Sequence, residues 1–246
     1  MLVIEPEKLK NLMSDSPHTL GSFEIALRDA RNGVLRMASI SAQNLENAVR
    51  GLLTRNTELC NDAIAEDDEV NLLERRIDAE SFEILMRFNP VASDLREVIA
   101  GMKVANNLER ISDEAQSIAR RARKVLKQLE LAEVALIEPI FHQAQALLRD
   151  GMRAYTEGDN EMALGLYDRD RQLDDDQKQL IRRLTKMLDD DTSSAKTVLH
   201  LIFIVRSLER VGDHAVNIGE DAVFLETSAD IRHLGPEGAA REIEEA

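Results

Sequence analysis

Cysteine, proline, glycine and aromatic residues are all scarce in this chain of 246 residues. A single cysteine, Cys60, excludes an internal disulfide framework and fits a reducing compartment. Aromatics make up 3% with no tryptophan, and there are five prolines and eleven glycines. That balance disfavours β-sandwiches and barrels, which draw on aromatic and β-branched residues and many turns. Positive charge is also short: 46 acidic residues face 31 basic ones, a net charge of −15. Such a field repels phosphate backbones and anionic lipid, so we expect no nucleic-acid binding and no insertion in a membrane. It favours cations and basic patches on partner proteins. Long apolar runs are missing too. The most apolar window, 198–205, contains His200 and falls far short of the roughly 20 residues that span a bilayer. The first ten residues, MLVIEPEKLK, carry acids and have no long apolar core, unlike a secretory signal. These features together read as a cytoplasmic protein.

What is present is helical periodicity. Breakers fall in clusters and leave long uninterrupted stretches, so six helices are expected at 19–53, 57–88, 93–129, 134–155, 160–188 and 194–226. Asn89-Pro90, Gly158-Asp159 and the run from Asp189 to Ser193 separate them, and Ser93 is placed as an N-cap. Helices of about 30 residues are about 45 Å long, and with short loops they form antiparallel bundles. The end of the chain, 236–246, is small and acidic and is expected to be a disordered tail.

The chain also repeats itself. Residues 108–119 (LERISDEAQSIA) match 208–219 (LERVGDHAVNIG) at six of twelve positions. Upstream, Asp67, Val70, Asn71 and Ile77 match Asp170, Leu173, Asp174 and Leu180 at an offset of 103. The expected architecture is therefore an all-α tandem duplication of an antiparallel three-helix bundle. Its parts are an N-terminal segment 1–19, a first bundle 20–130 and a second bundle 131–235, each with its own core.

Acids recur in the repeat with the spacing of one helical turn. Glu109 and Asp113 share a helix face, as do Glu209 and Asp213. Asp67 and Asp170 each take a place within an apolar stripe, and Asp174 follows four residues after Asp170. In the first copy that place is held by Asn71. Carboxylates gathered between two helices lose water and repel one another, so something must offset the cost. One candidate is a bound cation, which an all-oxygen set would take as a hard metal. The other is arginine. Arg110 and Arg210 directly follow the glutamates and point about 100° away from them on a helix, so they should not neutralise their own glutamate.

The remaining chemistry is thin. The chain has no Glu-x-x-His pair, no glycine-rich phosphate loop, no Gly-x-Ser-x-Gly and no zinc pattern. His214 reads as a helix-surface histidine and Cys60 as a small core residue. No nucleophile–base pair assembles, so the chain is not read as an enzyme. A helical carboxylate metal-binding or storage protein, a metal-dependent enzyme and a plain scaffold remain alternatives on these residues alone.

The two motifs on a tandem three-helix repeat, with the segments 93–96 (SDLR) and 230–235 (DIRHLG), resemble the PhoU family of phosphate-signalling regulators. The resemblance covers about residues 20 to 235. It implies a non-enzymatic cytoplasmic negative regulator of the phosphate-starvation response. Such a protein links the ATPase subunit of a phosphate ABC transporter to a sensor histidine kinase, and a homodimer is expected. Several members bind metal clusters at these motifs. The resemblance therefore implies one metal site from Asp67, Asn71, Glu109 and Asp113, and another from Asp170, Asp174, Glu209 and Asp213. Asn71 leaves the first a carboxylate short, so the second should bind more tightly. The implied ions are magnesium, manganese or iron, with zinc or calcium as further options. Arg110 and Arg210 are the candidate partner contacts.

Overall fold

A computed structural model of the protein describes residues 17–128, 131–190, 194–232 and 234–245. The described residues hold no strand. The first half contains α1 (Pro17–Leu53), α2 (Thr57–Ala65), α3 (Asp67–Phe88) and α4 (Ala92–Val125). A short 3-10 turn, Ala132–Leu136, leads into α5 (Ile137–Glu157), α6 (Asn160–Asp190) and α7 (Ala195–Thr227). A last helix, α8, spans Gly235–Glu245. No helix of the described residues is long and apolar enough to cross a membrane.

Local chemistry sets these boundaries. Asn56 caps α2, its side-chain oxygen accepting from the N–H of Glu58 at 2.9 Å. Asn89 adopts left-handed backbone (φ 47°) and Pro90 follows without an N–H, so α3 stops there. Gly158 does the same for α5 with φ 68°. Asp159 then accepts from the N–H of Met162 at 2.9 Å and starts α6.

Three expectations change. The helix expected over 57–88 breaks at Glu66. The run Glu66-Asp67-Asp68-Glu69 is best tolerated in a first turn, where the helix dipole is positive, and there it lies. Ser93 is no cap: α4 begins at Ala92, after Val91. The acidic tail is not disordered over its described residues, because α8 packs against α6 and buries Ala239. Ile243, one turn on, joins the core from the same helix face. The separators at 191–193 and the helix end at 129 lie outside the described residues, as do residues 1–16 of the N-terminal segment.

In each half one long helix is central. In the first, α4 packs against α1, α2 and α3; in the second, α7 packs against α5 and α6. Among the described residues, the most extensive helix–helix contact joins these two central helices to each other. The halves therefore share one continuous core and do not each enclose their own, which corrects the expectation of two. The reason lies in the central helices, whose buried faces take in about half of the circumference or somewhat more and so have apolar surface for both neighbours. The α5–α7 crossing is close: a Cβ on Gly151 would stand 2.7 Å from the carbonyl oxygen of Ala215. Polar ties also cross the seam. Arg210 pairs with Glu114 at 3.0 Å, and Lys103 pairs with buried Asp221 at 3.2 Å.

Candidate functional site

The expected acids gather in two grooves, one between α3 and α4 and one between α6 and α7. In the first groove Asp67 is 4% exposed and opens α3. Burial raises its pKa, and the Asp113 carboxylate adds to the rise. Neutral donors answer that cost. Ser112 Oγ donates to Asp67 Oδ1 at 2.8 Å, and Gln116 Nε2 and Asn71 Nδ2 donate to Oδ2 at 2.8 and 3.2 Å. Buried Asn44 donates to the Ser112 hydroxyl at 3.2 Å and extends the chain of bonds into α1. Asn71 is thus a donor to the carboxylate it was expected to join in holding an ion.

Arg110 completes the first groove. It reaches Glu109 Oε2 and Asp113 Oδ2, both at 3.3 Å. This corrects the expectation that it cannot neutralise its own glutamate. The side chain is long enough to fold back along the helix surface, so the 100° between neighbouring Cβ directions does not keep them apart. Glu109 Oε2 is buried and accepts no hydrogen bond, which leaves Arg110 as a through-space neighbour only. Burial and then Asp113 raise the Glu109 pKa.

The second groove repeats the acids without the donors. At the place of Ser112 stands Gly212, and a Cβ there would meet Leu173 at 2.5 Å, Asp170 Oδ1 at 3.0 Å and Leu147 at 3.3 Å. At the place of Gln116 stands Val216, and at that of Asn71 stands Asp174. Asp170 also lies inside the unbroken α6, away from any helix start. Burial, then Asp213 and Asp174, push its carboxyl up to about 6. Glu209 rises by burial and then by Asp213 and Asp174. Asp213 lies on the solvent side of the groove, yet loss of water and Asp174 still raise it. Asp174 itself is paired to Lys178 one turn on. Arg210 leaves this groove for Glu114 of the first half.

Both expected sets are therefore brought together electrostatically. Among the described residues, however, no three His, Cys, Asp or Glu side chains are arranged to hold a metal ion as they are placed. The donor chemistry of the two grooves differs. The first already satisfies Asp67 with three hydrogen bonds, and an ion there would displace them, so the set does not fit one well. The second offers oxygens with no described side-chain donor at Asp170, Glu209 or Asp213, and it fits a hard divalent cation. Neither arginine expected to face a partner is unpaired, since Arg110 serves Glu109 and Asp113 and Arg210 serves Glu114.

The acids across the seam went unforeseen. A cleft of about 420 Å³ between the halves is lined in part by Lys103, Asn107, Asn217, Asp221 and Arg232. Asn107 accepts from Asn217 at 3.3 Å and lies 3.1 Å from His214 Nδ1, so His214 faces the other half. Cys60 is fully buried, and burial pushes its thiol up to about 11, which makes it an inert core residue. Periodicity alone could not single out Asp221. The Ser112/Gly212 difference inside the repeated motif was a readable signal.

Residues 34–122 and 137–222 each match the PhoU domain. A phosphate-specific transport system accessory protein PhoU homologue of Pseudomonas aeruginosa is 34% identical over 228 residues, 92% of this chain and 94% of that protein. The crystal structure of PhoU from Pseudomonas aeruginosa superimposes with a TM-score of 0.80 at 34% identity, covering 82% of this chain and 98% of that one. The phosphate transport system regulatory protein PhoU from Streptococcus pneumoniae shares the fold, with a TM-score of 0.77 at 23% identity over 85% and 98% of the two chains. With the tandem helical repeat and the paired acidic motifs, these matches place the chain in the PhoU family, whose members are accessory and regulatory proteins and not enzymes.

Proposed function

We propose that this protein is a cytoplasmic accessory protein of a phosphate transport system and a negative regulator of the phosphate-starvation response. It acts as a homodimeric adaptor between the ATPase subunit of a phosphate ABC transporter and a sensor histidine kinase. The observation that carries the reading is the fusion of two PhoU-domain halves through α4 and α7 into one continuous core. A body joined in this way presents two related faces in a set relation, so one half can hold one partner while the other half meets the second. A partner that binds in only one of its states then shifts the other by the difference in affinity.

A divalent cation, with magnesium, manganese or iron preferred, belongs to this proposal at Asp170, Asp174, Glu209 and Asp213. When bound, it supplies positive charge between α6 and α7 and ties the two helices together. The first groove, with Asp67 already hydrogen-bonded, binds more weakly or not at all. The uncompensated acids of the second groove also suit a helical metal-binding or storage protein, and the cellular experiment separates the two readings. Deletion of the gene, read with a phosphate-starvation promoter reporter, should leave the reporter on in high phosphate. If the reporter stays off and neither a transporter nor a kinase subunit co-purifies, the adaptor reading fails.

A further inference from the structure

The outer face of α3 is apolar where a bundle helix is ordinarily polar. Leu72, Phe82 and Met86 are 61%, 55% and 75% exposed. With Arg75, Ala79 and Glu83, all exposed, they fall within about 100° of the helix circumference. Their side of the helix is opposite the one that buries Val70, Ile77 and Ile84. The fold itself does not require this stripe. At the matching positions α6 carries Asp175, Lys178, Arg182 and Thr185 for Leu72, Arg75, Ala79 and Phe82. The duplicated helix has kept its core face and gone polar outside.

The stripe is self-complementary about its middle. Leu72 and Met86 lie seven residues on either side of Ala79, and Arg75 and Glu83 lie four on either side. An antiparallel copy related by a two-fold axis through Ala79 sets each Leu72 against a Met86, about 10 Å from the axis at 1.5 Å per residue. It sets each Arg75 against a Glu83, about 6 Å from the axis. The small Ala79 lets the two backbones approach at the crossing. Arg75 is ready for this role. It donates to the backbone carbonyl of Asn71 at 3.1 Å and pairs with no described carboxylate. A two-fold interface must match itself in this way, residue i meeting j and j meeting i. An unrelated partner would not need the symmetry.

We infer that the α3 stripe is the surface on which a second copy of this chain docks, antiparallel and two-fold, with Leu72 against Met86 and Arg75 against Glu83. This inference rests on the homodimer proposed above and names its surface. The test is sedimentation equilibrium of the full chain, with circular dichroism to verify that each variant remains helical. The wild type should be a dimer, and Leu72→Glu and, separately, Met86→Glu should be helical monomers. Arg75→Glu should weaken the dimer about tenfold or more by opposing like charges. Arg75→Glu with Glu83→Arg should restore it, since the swap rebuilds both pairs. A wild type that stays monomeric overturns both the homodimer and this surface. A dimer indifferent to Leu72→Glu and Met86→Glu overturns the surface and leaves the homodimer standing. Failure of the double swap to restore what Arg75→Glu loses overturns the two-fold register.

Discussion

Ser112 donates its hydroxyl to Asp67 at 2.8 Å, and this bond separates the two halves of the molecule chemically. The duplicated carboxylate in the second half, Asp170, faces Gly212 and has no such donor. In one copy the buried aspartate is held by neutral donors, and in the other it stands among acids without one.

Removing that donor should be costly. Ser112→Ala leaves a buried carboxylate oxygen unsatisfied and also strands the Asn44 amide that the hydroxyl accepts from. The expected loss is about 1–3 kcal/mol of unfolding free energy. Urea unfolding at neutral pH measures it, and a loss near zero would mean that water replaces the hydroxyl freely.

Cation binding should belong to the second groove. A divalent ion at 100 times its dissociation constant stabilises the folded state by about 2.7 kcal/mol if it binds only that state. Manganese added to metal-stripped protein should therefore raise the melting temperature. Glu209→Ala with Asp213→Ala should abolish the rise, while Glu109→Gln should leave it intact. Unchanged calorimetric stoichiometry in the double variant would remove the second groove as the site.

The seam between the halves should carry a pH dependence through Asp221. Burial pushes this carboxyl up to about 6, against the partial compensation of Lys103. That value lies above the roughly 3.9 of an unfolded aspartate, so between the two the native state holds the extra proton. Stability contributed by this group therefore falls as pH rises from about 4 to about 6, and the penalty is complete above that. Asp221→Asn should flatten that part of the stability curve, read from urea midpoints taken across the window. A slope unchanged by the substitution would assign it to other carboxyls.

Two glycines should respond in opposite directions. Gly151→Ala drives a methyl against the Ala215 carbonyl oxygen of α7, backbone that cannot swing aside, and should cost about 1–3 kcal/mol. Gly165 lies in α6 with nothing near its missing Cβ, so Gly165→Ala should gain about 0.5–1 kcal/mol from helix propensity alone. Thermal unfolding of both variants checks the contrast.

The sequence by itself determined most of the helical stretches, the duplication and the acids that gather in each groove. These follow from a period of 3.6 and from breakers such as Asn89-Pro90 and Gly158, all of which act within a few residues along the chain. It also carried the sign that the copies differ, in Asn71 against Asp174 and Ser112 against Gly212. Only the tertiary structure decided what those differences do. Whether Asn71 joins a ligand set or donates to Asp67, whether Arg110 folds onto Glu109, and whether Arg210 looks outward or reaches Glu114 all depend on distances between helices. No local pattern encodes those distances. The same holds for the shared core: a broad apolar helix face looks the same in sequence whatever it packs against, and it took the meeting of α4 with α7 to make two repeats one body.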